Sequence, residues 1–517
     1  MREPVATPGS VPGPAVLPRP ARVPIGVLLW ARALFGLDLR SLALFRVAVA
    51  ATILGDLVQR AMDLRAHYSD AGVLPRAALI DQFSGDWAIS LHLANGTTGF
   101  QAFLFTLHAL CALCLLVGLR TRLATLACWV LCCSLHARNP MVLQGGDDLL
   151  RVLLFWSLFL PLGARASVDA LAISGRPVHA WSRTWLGAGA VAITLQICAV
   201  YWCTAVYKAH PAWMSTGNAV YLALNVDQMA RPLGQLLLHH LPWLLRPLSL
   251  GTFWFEVLGP WLLFCPPGRG RLRAVAVGAF ILFHAALGST LQLGVFPFVC
   301  ASAWLVFLPA RFWECPRLRR FLDRAALLLP RKLPEPLRRL AGRPPSEAIP
   351  SWRAWFLPGG MLGAMLVWNV AGLVPGRAGG LPGLERFIWT TRLEQSWRMF
   401  APFPLTDDGW YVMPGKLRDG REVDLMTGGA LRWGKPADVS AMYPNDRWRK
   451  YMMNLWSRAH ADHRLYLGRY LCRTWNDGHP PAEQLMTFQI QFMLEPTVAP
   501  GEVSQVKKVQ LWDHHCF

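Results

Sequence analysis

The chain has 517 residues, of which 54% are hydrophobic and only 16% charged, with 24 Trp and 25 Phe and a mean hydropathy of +0.31. Soluble domains are about 25% charged, so this balance excludes a disordered chain, a collagen-like one and a purely cytosolic enzyme. It predicts a polytopic α-helical membrane bundle with a smaller soluble portion. The net charge of +20 would suit a nucleic-acid binder, but the basic residues cluster beside apolar segments, as cytoplasmic loops require. The expected partner is therefore the lipid bilayer and not nucleic acid.

Residues 1–24 are rich in Pro and Ala and read as a cytoplasmic tail without a signal-peptide core. The apolar run PIGVLLWARALFGL that follows carries Arg32 and reads as interfacial, so residues 1–36 form a tail and an interfacial segment. A helix needs about 20 residues to cross the hydrocarbon layer. Runs of that length are predicted near 41–60, 100–119, 122–138, 148–164, 185–207, 249–266, 272–289, 291–309 and 356–374, about nine transmembrane helices within a domain spanning 37–375.

Loop charges set the orientation. Arg120 and Arg122 follow the second run, Arg165, Arg176 and Arg183 the fourth, and Arg269, Arg271 and Arg273 the sixth. A basic loop over 310–353 follows the eighth and includes Arg311, Arg317, Arg319, Arg320, Arg324, Arg331, Lys332, Arg338, Arg339 and Arg343. Acidic residues such as Asp63, Asp70, Asp81 and Asp86 follow the first. This alternation predicts a cytoplasmic N-terminus and an external C-terminus. No internal repeat is visible, which disfavours a transporter.

Residues 385–517 change character and predict a small α+β extracytoplasmic domain. WYVMPGKLRDGREVDLM reads as a hairpin about an Asp419–Gly420 turn, RWRKYMMNLWSRA and HRLYLGRYLCRTW as helices, and LMTFQIQFML and VKKVQLW as strands. Ten of the twelve cysteines lie in or beside apolar stretches, where Cys acts as a small hydrophobe. Cys111 and Cys114 form a CxxC inside such a run, a poor setting for redox or zinc chemistry. Cys472 and Cys516 are disulfide candidates if this region faces the oxidising side.

Ionisable residues within apolar spans are functional candidates by default. Lys208 stands out because the chain has only seven lysines, Lys208, Lys332, Lys416, Lys435, Lys450, Lys507 and Lys508, and the rest of its basic charge is arginine. Arginine holds its proton at any useful pH, whereas a desolvated lysine can act as a base. The competing reading is a lysine snorkelling to the interface from the end of its helix. His284 and Glu256 lie mid-span, and each needs a partner across the bundle; a structural hydrogen bond between helices is the plainer role. His108 and His136 are weaker candidates of the same kind. The turn holding Arg138, Asn139 and Pro140, followed by Asp147, Asp148 and Arg151, would either bind a polar substrate or cap and pair two helix ends. The terminal Asp513-His514-His515-Cys516 lacks the cysteine-rich setting of a palmitoyltransferase and the spacing of a zinc site, so no metal is expected.

Several segments taken together resemble a known family. LDLRSLALFRVAVAATILGDLVQR, HYSDAGVLPR and LHARNPMVLQGGDDLLRVLLFWSLFLPLGARASVDA are similar to the horizontally transferred transmembrane (HTTM) family, the bacterial branch related to vitamin K-dependent gamma-glutamyl carboxylase. YWCTAVYKAHPAWMSTG resembles the carboxylase segment in which a lysine precedes a tryptophan, places filled by Lys208 and Trp213. FHAALGSTLQLGVFPFV resembles the segment with a membrane histidine, which falls on His284, and Glu394 to Phe400 with AlaProPhePro is typical of the family after its last span. The resemblance implies a multi-pass protein of the bacterial inner membrane that couples oxidation of a reduced, vitamin K-like quinone by O2 to carboxylation with CO2. It implies Lys208 as base, His284 near the quinone, and a peptide or small acidic substrate arriving from outside. Trp213, Arg138, Asn139, Asp147, Asp148 and Glu256 complete the candidate site as substrate-binding residues. One departure is plain: a second carboxylase histidine precedes a Ser-Val-Asp, whereas here Ala164 stands before Ser167-Val168-Asp169. The alternative from another class is a non-catalytic membrane protein presenting its external domain to a partner.

Overall fold

A computed structural model describes residues 25–83, 89–174, 184–265, 270–327, 334–342, 353–374, 382–499 and 501–517. The expected tail over 1–24 and, among the loop charges, Asp86, Arg176, Arg183, Arg269, Arg331, Lys332 and Arg343 lie outside the described residues.

Among the described residues, five helices are long and apolar enough to cross a membrane: Leu39–Ala61, Thr98–Val117, Ala188–Tyr207, Arg271–Thr290 and Ala354–Leu373. Local chemistry fixes their ends. Asp38 starts the first by accepting the Arg40 backbone N–H at 2.9 Å. Thr97 caps the second through the Phe100 N–H, and Gly118, at φ +72°, ends it in the left-handed conformation while Leu119 N–H reaches back to Cys114 O.

The other four expected spans are shorter or more polar. Thr121–Arg138 has Arg122, His136 and Arg138 near its ends. Gly145–Ser157 has 13 residues and is buried on nearly every side. Leu245–Leu258 gives way to a 3-10 turn over Gly259–Leu263 that contains Pro260, whose missing N–H stops the α-helical ladder. Phe296–Leu305 has only 10 residues. Hydropathy registers all of these as apolar runs, because residues packed inside a helical bundle look like residues facing lipid.

The bundle core is aromatic at its centre: Phe280 and Trp304 stack at 3.8 Å with their planes 7° apart. Arg46 is buried within the first helix, and its guanidinium donates to Leu162 O and Ala166 O, which ties a loop to the helix.

The C-terminal region is built on a five-stranded sheet. The Leu485–Pro496 strand is central. One of its edges pairs antiparallel with Asp407–Val412 and then Pro414–Leu417, and the other with Lys507–His515. Pro414–Leu417 folds back on Glu422–Asp424, and Gly420 takes φ +90° in that turn. The expected hairpin therefore forms on both sides of its turn, from Pro414 to Asp424, while its outer residues Trp410, Tyr411 and Val412 pair with the distant central strand instead. Helices Asp446–Trp456 and His463–Gly478 form where the pattern placed them. A disulfide joins Cys472 to Cys516, with Cα atoms 5.5 Å apart. This region shares a core with the helical bundle: Val73, Met141 and Val142 pack among Tyr411, Tyr451 and Phe488.

Candidate functional site

Lys208 caps the C-terminal end of Ala188–Tyr207, where its N–H meets Thr204 O at 2.9 Å. His210 and Pro211 then start a one-turn helix, His210 Nδ1 accepting the Ala212 N–H and Pro211 supplying the first helical position. That turn returns Trp213 to Lys208, whose Nζ lies 4.6 Å from the ring centroid. Trp213 Nε1 donates to Phe400 O at 3.2 Å. Glu256, from Leu245–Leu258, accepts from Lys208 Nζ at both carboxylate oxygens, 2.8 and 2.9 Å. Lys208 and Glu256 are each 4% exposed, Trp213 3% and His284 2%. A pair so enclosed needs each partner to offset the other's desolvation.

Tyr201, Thr204 and Lys208 share one face of their helix at the i, i+3, i+7 spacing, and all three line a cavity of about 500 Å³. His284 lines it from Arg271–Thr290, its Nε2 2.8 Å from the Tyr201 hydroxyl. Trp304 Nε1 donates to the same hydroxyl oxygen at 2.7 Å. With the oxygen accepting from Trp304, the Tyr201 O–H satisfies its donor on His284 Nε2, which assigns the ring proton to Nδ1. No described residue hydrogen-bonds to Nδ1. The remaining wall is largely apolar, with Phe283, Phe296 and Cys300 on one side and Met399 and Phe400 on another. Lys208, Trp213, Glu256 and His284 thus meet at one cavity, from three helices and a connecting turn.

Arg138, Asn139, Asp147 and Asp148 lie elsewhere, and none of them lines that cavity. Arg138 Nη1 donates to Leu74 O at 2.8 Å; Asn139 donates to His67 O and caps the following turn through the Met141 N–H. Asp148 pairs with Arg151, which also reaches Glu394. Asp147 belongs to a buried ionic cluster: Arg447 meets Asp56 at 2.7 Å and Asp147 at 2.6 Å, and Arg60 meets Asp56 at 2.7 Å and Asp147 at 2.5 Å. Arg447 comes from the C-terminal region, so the cluster fastens that region to the bundle. Asp56, His136 and Asp147 bring ligand atoms within 4.8 Å of one another. The two guanidiniums already balance the two carboxylates, however, and occupy the positions a cation would take. His108 is buried, with no hydrogen bond to either ring nitrogen among the described residues.

Sequence reasoning missed the cavity wall supplied by the C-terminal region. Arg398, Arg449 and Lys450 line it, although Lys450 is far from Lys208 in sequence. The available signal was the scarcity of lysine, and two of the seven now face one cavity.

No curated protein and no solved structure matches the chain. Lys208, Trp213, Glu256 and His284 all fall within a matched family domain, whereas Lys450 and Arg447 lie beyond it. That domain is the HTTM domain, matched over residues 36–312, more than half of the chain, and the protein belongs to the HTTM family.

Proposed function

We propose that the protein is a membrane enzyme of the carboxylase-related kind, coupling oxidation of a reduced quinone by O2 to carboxylation with CO2, or a related modification, of an acidic substrate, with Lys208 as base. The observation that carries this reading is the Lys208–Glu256 pair set against Trp213 and His284 at one largely apolar cavity. Its volume of about 500 Å³ falls within the usual range for small-molecule sites, and its apolar wall with a few convergent polar groups fits a quinone ring. Lys208, Trp213 and His284 would hold that ring, whose contribution is reducing electrons and an acidic hydroxyl.

Lys208 removes a proton only when neutral. Glu256, bonded to Nζ through both oxygens, is placed to take the resting proton of the lysine and so to release its lone pair. Trp213 and Glu256 fix Nζ from two sides, and the apolar wall keeps water from competing for the proton. His284 keeps its own proton on Nδ1, with Nε2 held by Tyr201.

We extend the proposal to topology: nine crossings, four of them by shorter or more polar helices, in the plasma membrane, with the N-terminus cytoplasmic and the C-terminal region outside. The Cys472–Cys516 disulfide supports the external placement. The reading as a non-catalytic presenter gains nothing from the geometry, since the C-terminal region is held down by buried ion pairs and walls the cavity.

Lys208→Arg tests the base, because it keeps the charge and loses the proton exchange. Loss of quinol-dependent incorporation of labelled CO2 in membranes, by about a hundredfold or more, is expected; undiminished incorporation would sink the reading. Lipid extraction of the purified protein should also yield a quinone.

A further inference from the structure

The cavity carries an imbalance of charge that the proposed proton transfer does not use. Among the described residues, its lining holds four side chains of Lys or Arg, Lys208, Arg398, Arg449 and Lys450, and one carboxylate, Glu256. Glu256 is taken by Lys208. Arg449 is taken as well: it pairs with Asp446 and donates to Gln292 O at 2.9 Å. Arg398 lies over the Tyr207 ring at 5.0 Å and reaches Gly372 O at 3.4 Å. The Lys450 ammonium, on the Asp446–Trp456 helix, has no hydrogen bond or ion pair to any described residue. Burial and the adjacent Arg449 charge hold its ammonium below the usual lysine range. Lys450 is half-buried, with the carboxylates of Asp446, Asp147 and Asp148 near enough to favour its charge but none bonded to it, so an unpaired ammonium at the wall of a largely apolar cavity is free to meet an anion that enters.

We propose that Lys450, presented by the Asp446–Trp456 helix, is the residue that selects the substrate by pairing with its carboxylate, while Lys208 works at the reacting end of the same cavity. This deepens the function proposed above and rests on it for the identity of the reaction, but not for the binding itself. Lysine suits the role. Its ammonium is a compact point charge on a flexible stem, able to follow a carboxylate that must enter and leave, where arginine's planar fork would favour a fixed partner. Lys450 adjoins Arg449 on a helix anchored to the bundle through Arg447, so the charge is held at a fixed wall.

The test uses the full-length protein in detergent micelles, with N-acetyl-glutamate methylamide as the carboxylate probe and the corresponding glutamine compound as its neutral counterpart. Binding is followed by isothermal titration calorimetry and by thermal shift. The glutamate probe should bind about tenfold or more tighter than the glutamine one, and Lys450→Met should abolish that preference while Lys450→Arg keeps most of it. A retained disulfide and an unchanged melting temperature show that the variants are folded; Lys450→Gln serves if Lys450→Met is not. Equal binding of the two probes, an unchanged preference in Lys450→Met, or tighter binding of inorganic phosphate than of the glutamate probe overturns the proposal. Quinol-dependent CO2 incorporation, measured separately on the wild type and on Lys208→Arg, reports the reaction. If the wild type incorporates none while the Lys450 contrast holds, the reaction fails and the carboxylate site stands.

Discussion

At the scale of single residues, the Lys208–Glu256 pair makes a prediction that separates stability from chemistry. Replacing either partner alone leaves a buried charge without its counterpart, so Glu256→Gln and Lys208→Met should each destabilise the protein by about 3–5 kcal/mol. The double variant removes both charges and should recover much of that loss. Thermal unfolding of the three proteins in one detergent measures it; strictly additive losses would show that the two side chains do not interact. Tyr201 gives a second test. Its hydroxyl accepts from Trp304 and donates to His284, so Tyr201→Phe strands a buried indole N–H at a cost of about 1–3 kcal/mol. A variant that melts like the wild type excludes the bridge. The sequence made Lys208 conspicuous by rarity and placed Glu256 and His284 mid-span, but could not join Lys208 to Glu256. The two lie on separate helices 48 residues apart, and no local pattern encodes which faces meet. Lys450 was illegible for the same reason, since its surroundings come from the far side of the fold.

At the scale of elements, patterning located the C-terminal helices and strands because each has its own period, yet it counted Trp410, Tyr411 and Val412 into a hairpin they do not join. Gly420 signalled the turn correctly, but the pairing of Asp407–Val412 with Leu485–Pro496 is a long-range choice that alternation alone cannot reveal. The membrane helices were legible as apolar runs; their true lengths were not, because Pro260 and the buried charges near the Asp147 end of its helix cut them short. Two elements yield tests. The disulfide closes a loop of 44 residues between a helix and the edge strand, so Cys472→Ala with Cys516→Ala should cost about 2–4 kcal/mol, read as a lower melting temperature that reductant no longer changes. Asp408, on an edge strand, accepts from the Asp227 N–H and the Gln228 side chain, and burial raises its carboxyl to about 6. A carboxyl raised in the folded state stabilises most when protonated: its contribution is full below the unfolded value near 4 and is lost as pH rises through about 6. The wild type should therefore gain about 1.4 kcal/mol relative to Asp408→Asn between pH 7.5 and pH 5. A constant difference across that range refutes the assignment.

At the scale of the whole molecule, the cavity belongs to neither part alone. The bundle supplies Lys208, Glu256 and His284, the C-terminal region supplies Lys450, and Arg447 fastens the two together. Arg447 and Lys450 are three residues apart on one helix, so the ionic cluster and the substrate-facing lysine share a single rigid body. Releasing the cluster should therefore disturb the site without touching it. Arg447→Met leaves Asp56 and Asp147 with Arg60 as their shared guanidinium partner, a loss of about 3–5 kcal/mol. Two effects should appear together: faster proteolysis of residues 385–517 and weaker binding of the carboxylate probe. Arg447→Lys should be intermediate, because one ammonium cannot span two carboxylates as the planar fork does. Adding Asp147→Asn to Arg447→Met lowers the uncompensated charge and should recover part of both effects. If Arg447→Met loosens the C-terminal region while probe affinity stays at the wild-type value, Lys450 is not held in place by that anchor. If both stay unchanged, the buried cluster does not join the two parts at all.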